Sequence, residues 1–326
     1  MTAGAADAAG TAAGRTGVLV MAHGTPGSPG DIEAFYTRIR RGRPPSPELL
    51  EELTGRYEAI GGTSPLNLRT RAQVDGLAAA LEAAEPGRFE VRLGTKYVDP
   101  SIEDAVGGLA ALGVARIVGI VLTPHQSTLG SGEYFDRART AAAGAQPPLG
   151  LTVIPSWHRA PAFAPLLAAR TRAVLDALDG PSRARTAVFF TAHSLPERVV
   201  AAGDPYPDQV AETGTDVARL LDLDADPTVR WGTAWQSAGR TADPWIGPDL
   251  LVEMDRVAAE GATAVVVCPV GFVSDHLEVL YDLDIEARAR ADALGIAFAR
   301  TPSLDDDPEF LAMLADVVRS AADGAP

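Results

Sequence analysis

Short runs of β-branched and aliphatic residues alternate along this chain with longer stretches whose apolar positions recur every three or four residues. The runs at 17–22, 89–94, 115–122, 150–154, 186–191, 229–234, 263–268 and 296–299 predict strands. The periodic stretches at 30–41, 47–55, 66–84, 101–112, 132–143, 161–178, 208–221, 248–260, 275–293 and 307–321 predict helices. Strand and helix in regular alternation is the pattern of parallel α/β architecture. No run approaches the ~18 consecutive apolar residues that a membrane span requires, so an integral membrane protein is not expected.

The pattern also repeats. "DPSIEDAVGGLAALGVARIVGIVLTP" and "DPWIGPDLLVEMDRVAAEGATAVVVCP" share an order: Asp-Pro, helix, glycine, buried strand, proline. Two similar α/β domains are therefore expected, 17–160 and 161–326, with the last helix able to pack back on the first. Residues 1–16, rich in Ala and Gly and without a basic start or an apolar stretch, read as a disordered lead rather than a signal peptide.

Each half has a strand that opens into a turn at a histidine: "VLVMAHGTPGSP" at His23 and "AVFFTAHSLPERV" at His193. Open α/β sheets bind ligands beyond the carboxyl ends of their strands. Halves that face each other would bring both histidines to one cleft. An imidazole there titrates near neutrality and can accept protons, although a structural turn residue is the commoner role for such a histidine.

The segment "GFVSDHLEVLYDLDIEARAR" places Glu278, Asp282 and Glu286 at steps of four. On a regular helix they fall within an arc of about 80°, with Leu280, Leu283 and Ala287 on the core side. A solvated face begun by a capping-box-like Asp275-x-x-Glu278 accounts for the row. So does a ladder of hard oxygen ligands for a hydrated divalent cation, since Glu278 and Asp282 lack a basic partner one turn away. His276 would lie about 200° round such a helix from Glu278, unable to share a ligand with it. A third cluster, Arg40, Arg41 and Arg43, is either a solvated patch or a grip for carboxylates. Lys96 and the hydroxyls of Ser64, Ser127, Thr128 and Ser237 could complete its rim.

Composition narrows the classes. The chain is 46% hydrophobic and 22% charged, ordinary for a folded protein, and 326 residues suit two domains. A net charge of −15 excludes a nucleic-acid surface and makes the arginines stand out. The single cysteine, Cys268, excludes an internal disulfide or a multi-thiolate site and fits a reducing cytoplasm.

Taken in order, "RYEAIGGTSPL", "TAHSLPERV" with "GDPYPDQV", "WQSAGRTADPWIGPD" and "PVGFVSDHLEVLYDLDIE" resemble the ferrochelatases, specifically the soluble bacterial type acting on coproporphyrin III, from about residue 17 to 320. The resemblance implies two similar Rossmann-like domains, each with a parallel four-stranded sheet flanked by helices. It implies insertion of Fe²⁺ into coproporphyrin III with release of two protons. His193 and Glu278 would form the metal-insertion centre, and Asp282, Glu286 and, through water, Arg56 an outer metal site. His23 would meet the opposite face of the ring, where many soluble relatives have tyrosine. Arg40, Arg41, Arg43, Ser64, Lys96, Thr128 and Ser237 would surround the propionates. Some relatives hold a [2Fe-2S] cluster, which one cysteine cannot ligate, so no cofactor is expected. A monomer that hands its product to a transient partner completes the expectation.

Rival readings are a histidine phosphatase, disfavoured because Ala22 stands where an arginine should precede the histidine; a chelatase for protoporphyrin IX, or for cobalt or nickel; and a non-catalytic haem carrier ligating through His23. The carrier leaves the carboxylate row without a use.

Overall fold

A computed structural model describes residues 14–183, 185–239 and 243–324. Residues 1–13 of the expected lead lie outside these, and Thr16 already begins the first strand. The strands are β1 (Thr16–Ala22), β2 (Phe89–Thr95), β3 (Arg116–Val121), β4 (Gly150–Ile154), β5 (Thr186–His193), β6 (Arg230–Gln236), β7 (Ala264–Cys268) and β8 (Ala297–Arg300). The α-helices are α1 (Ile32–Ile39), α2 (Pro47–Ala59), α3 (Leu66–Ala84), α4 (Ile102–Ala111), α5 (Glu133–Gly144), α6 (Phe163–Ala177), α7 (Gly180–Arg183), α8 (Glu197–Ala201), α9 (Tyr206–Leu221), α10 (Leu250–Ala259), α11 (Leu277–Tyr281), α12 (Arg288–Leu294) and α13 (Pro308–Ala322).

Two parallel four-stranded sheets form, ordered β2-β1-β3-β4 and β6-β5-β7-β8. The same topology thus occurs twice, as the repeated sequence pattern suggested. Central strands carry unbroken apolar runs because helices cover both their faces: every residue of β1 and β7 is buried. Edge strands β4 and β8 are only partly covered. In each sheet the first strand in sequence lies between its two successors. The crossovers to its first and second successors therefore run in opposite directions, opening a crevice beyond its carboxyl end. His193 is the last residue of β5, and His23 directly follows β1.

The described residues divide into two compact units, one of 14–122, 129–157 and 305–324, the other of 123–128 and 158–304. The main boundary lies at 157/158, and the segment 123–128 groups with the second unit. Helix α13 groups with the first, where it packs on α3 and β4. Phe310 and Leu314 on α13 are fully buried, and side chains of this size contribute about 1.5–3 kcal/mol each when removed from water.

Among the described residues no helix is long and apolar enough to cross a membrane. The helices α7 and α8 are missing from the sequence prediction because four or five residues are too few to show a helical period.

Candidate active site

In the second unit, β5 delivers His193 beside the start of α11. His193 Nε2 lies 3.6 Å from Glu278 Oε1, and its Nδ1–H donates to the Ser194 carbonyl at 2.5 Å. Both side chains keep about a third of their surface exposed, at 34% and 37%, so a ligand can reach them. Gly271 permits this meeting. A Cβ there would stand 2.5 Å from the Ala192 Cβ and 2.9 Å from its Cα, so only glycine lets the loop after β7 lie against the end of β5. Gln236, paired in register with His193, donates to the Glu278 carbonyl at 3.3 Å and fixes the helix start from the other side.

His276 corrects the sequence reading. It is not on the helix but precedes it in extended conformation, φ −155° and ψ −178°. Its Nε2 therefore comes within 3.6 Å of Glu278 Oε2, and the carboxylate lies between two imidazoles. The helical angle that separated residues 276 and 278 assumed a regular helix from residue 275, whereas α11 begins only at Leu277.

Burial of the His193 imidazole works against its charged form, yet the Glu278 carboxylate and the accompanying hydrogen bonds outweigh it and push the pKa up to about 9. Burial of Glu278 acts in the opposite sense to its two imidazole neighbours, which hold its carboxyl well below the usual range. At neutral pH the pair is an imidazolium and a carboxylate.

The row of carboxylates is also reshaped. Residues Asp282–Ala287 form a π-helical turn rather than continuing α11, so a step of four no longer advances by the regular helical angle. Glu278 is partly exposed, Asp282 is 7% exposed and accepts a hydrogen bond from the Ser237 hydroxyl, and Glu286 is half-buried. Leu283 and Ala287 are fully buried as expected, but Leu280 is only half-buried and Val279 takes the core position. Ser237 itself adopts φ 59°. Sequence reasoning missed Arg300, whose guanidinium clamps Asp284 with two bonds of 2.7 and 2.8 Å and Asp275 at 3.1 Å, bracketing the segment that carries Glu278 and Asp282. The signal for it was weak: Arg300 lies on strand β8, 16 residues from Asp284.

The remaining second-unit residue is Thr128, whose backbone N–H donates to the buried Asp204 carboxylate at 2.6 Å. Among the described residues no three His, Cys, Asp or Glu side chains form a ready metal cage. An ion handled here meets a sparse ligand set.

The first unit holds the other predicted residues. His23 is exposed, and its Nδ1–H donates to the Gly24 carbonyl at 2.9 Å, which in the neutral ring leaves the lone pair on Nε2. Phe35 and Tyr97 meet the ring edge-on at 5.9 and 4.8 Å. Gly24 has φ +80°, and a Cβ on it would strike Val98 at 2.4 Å, so the tight turn after His23 needs glycine.

Arg40, Arg41 and Arg43 are all exposed. Arg40 and Arg43 donate to each other's carbonyls, and Arg41 lies 3.5 Å from Glu133. Lys96, only 10% exposed, pairs with the same Glu133 and lies over the rings of Tyr97 and Tyr134. Ser64 is buried and its hydroxyl accepts the Leu66 N–H at the start of α3. Arg56, in the last turn of α2, is 3.4 Å from Glu52. A cavity of about 320 Å³ opens beside the His23 turn among Gly24, Thr25, Phe35, Arg38, Asn67 and Arg71. None of the predicted site residues lines it.

The arrangement in the second unit can exchange protons and attract a cation at one point, and that in the first can contact a flat ligand and its anionic substituents. Comparison with known proteins agrees in kind. A family model described as Ferrochelatase matches residues 15–322. A ferrochelatase of Herpetosiphon aurantiacus is 40% identical over 93% of this chain and 98% of its own. Coproporphyrin III ferrochelatases of Bacillus mycoides and Anoxybacillus flavithermus are 41% and 42% identical over 93% of this chain and 96% and 95% of theirs. Among solved structures, SirB from Bacillus subtilis with Fe³⁺ aligns with a TM-score of 0.55 at 13% identity, over 94% of this chain and 96% of that one, a likeness of fold.

Proposed function

The chain belongs to the ferrochelatase family, and from that premise we propose that it inserts Fe²⁺ into coproporphyrin III, with the His193–Glu278 pair taking up the two pyrrole protons. The observation that carries this reading is that pair: a carboxylate and an imidazole 3.6 Å apart, both partly exposed, at the carboxyl end of a switch-point strand.

Metal insertion needs two N–H bonds broken while a dehydrating cation arrives at the ring nitrogens. At neutral pH His193 already carries a proton, so Glu278 is the first acceptor, and His193 accepts only after passing its own proton outward. A positioned base of this kind contributes about 10²–10⁴ in rate. Asp282 and Glu286 supply oxygen ligands on the side of the same segment, and Arg56 belongs to their outer site through water. His23 meets the opposite face of the ring and offers Nε2 to the product iron. Arg40, Arg41, Arg43, Lys96, Ser64, Thr128 and Ser237 receive the propionates, whose binding energy holds the ring saddled at a cost of about 1–5 kcal/mol.

No cofactor beyond the iron substrate enters this scheme: Cys268 is the one cysteine, it is buried on β7, and burial raises its thiol pKa. A monomer in the cytoplasm that passes its product to a transient partner fits the same reading. Anaerobic incubation with Fe²⁺ and either coproporphyrin III or protoporphyrin IX, followed by loss of porphyrin fluorescence, tests it. A preference for the four-propionate ring is expected; preference for protoporphyrin IX would reassign the substrate, and no turnover with either would overturn the proposal.

A further inference from the structure

We propose that His125 and His158 form a second, buried metal site in the second unit, a two-imidazole seat for a soft monovalent ion of the cuprous type. It is independent of the porphyrin reading above and uses none of its residues.

His125 lies in the segment 123–128 that groups with the second unit, and the His158 N–H donates to the Pro124 carbonyl at 3.1 Å, tying the two stretches together. The rings are 1% and 7% exposed, with centres 5.6 Å apart and planes tilted by 38°. Their hydrogen bonds fix both tautomers. The Thr213 hydroxyl donates to the Gln209 carbonyl at 3.1 Å, so it must accept from His125 Nε2–H at 2.9 Å. The Glu212 carboxylate can only accept, so His158 donates through Nε2 at 3.3 Å. Each ring is left with a lone pair on Nδ1, and among the described residues no protein donor reaches either atom.

Two buried acceptors without donors are unfavourable, and an ion shared between them would satisfy both. A metal-binding histidine characteristically donates its other N–H to a carboxylate or similar acceptor, and here both do. Two imidazoles bound at about 2.0 Å to one ion hold their ring centres at most about 6 Å apart, and the observed 5.6 Å lies within that reach. Burial disfavours the protonated form of both rings, so the lone pairs are available at neutral pH.

The charge of the ion follows from the surroundings. Both ligands are neutral, Phe163 and Tyr206 wall the His125 ring at 6.4 and 6.0 Å, and Arg159 already neutralises Glu212 with bonds of 2.7 and 2.8 Å. Desolvation grows with the square of charge, so a monovalent ion is favoured over a divalent one. Imidazole suits copper among such ions.

The test uses full-length protein, stripped of metal, incubated anaerobically with cuprous ion supplied from its bicinchoninate complex. One equivalent should be captured, with copper X-ray absorption showing nitrogen donors at about 2.0 Å, imidazole outer-shell scattering and no sulfur. His158→Phe should lose that equivalent while His193→Ala keeps it. Lack of uptake by the wild type, a sulfur shell pointing to Cys268, or loss in His193→Ala with retention in His158→Phe would each overturn the proposal. Should His158→Phe not fold, the wild-type spectrum alone decides.

Discussion

The ends of β1 and β5 carry nearly the same short sequence, Ala-His followed by a turn, at the same position in the same sheet topology, yet their histidines differ in chemistry. His23 is exposed among aromatic edges, with Phe35 and Tyr97 beside it. His193 faces a carboxylate and is pushed up to about 9. Local sequence places an imidazole beyond a strand; what packs against it from elsewhere decides whether it meets aromatic edges or the carboxylate of an ion pair.

The largest expected effect separates the two directly. His193→Ala should lower iron insertion by about 10²–10⁴ while porphyrin binding, read by fluorescence quenching, stays within a few-fold. Near-normal turnover would remove the distinction. Gly271→Ala should come next, since its Cβ would stand 2.5 Å from the Ala192 Cβ; about 1–3 kcal/mol of stability should be lost, seen as a lower Tm, together with activity as residues 193 and 278 part. An unchanged Tm would mean that this loop yields easily. His23→Ala should lower insertion less than about tenfold while altering the absorption spectrum of bound product, because it removes a ligand and not a proton acceptor. The smallest effect is expected for Arg41→Ala: its side chain is 83% exposed, and weakening of porphyrin binding should stay within a few-fold.

Much of this was legible in the sequence, and the exceptions have physical causes. All eight strands lie within a few residues of their predicted places, most plainly the central ones, whose buried faces leave nearly unbroken apolar runs. His193 and Glu278 could be paired in advance only through motif resemblance; their closeness depends on Gly271, whose role appears only when the loop and β5 are both in place. The π-turn at 282–287 and the extended backbone at His276 were not legible, because a regular period cannot encode a local irregularity that distant groups such as Arg300 and Gln236 hold in place. His125 and His158 escaped notice for a related reason: 33 residues separate them, and only the fold brings their rings together.

The His193–Glu278 coupling also sets a stability window. His193 is raised above its unfolded value near 6.5, so its contribution is complete below that pH and is lost as pH rises through about 9. Glu278 is depressed, so its contribution is present above its ordinary value of 4.5 and is lost as pH falls through its lower folded value. The most direct test is an NMR titration of the His193 ring in the free protein, wild type against Glu278→Gln. A wild-type midpoint near 9 that drops towards or below 6.5 in the variant is predicted. The same midpoint in both proteins would contradict the claim that Glu278 makes this histidine different from His23.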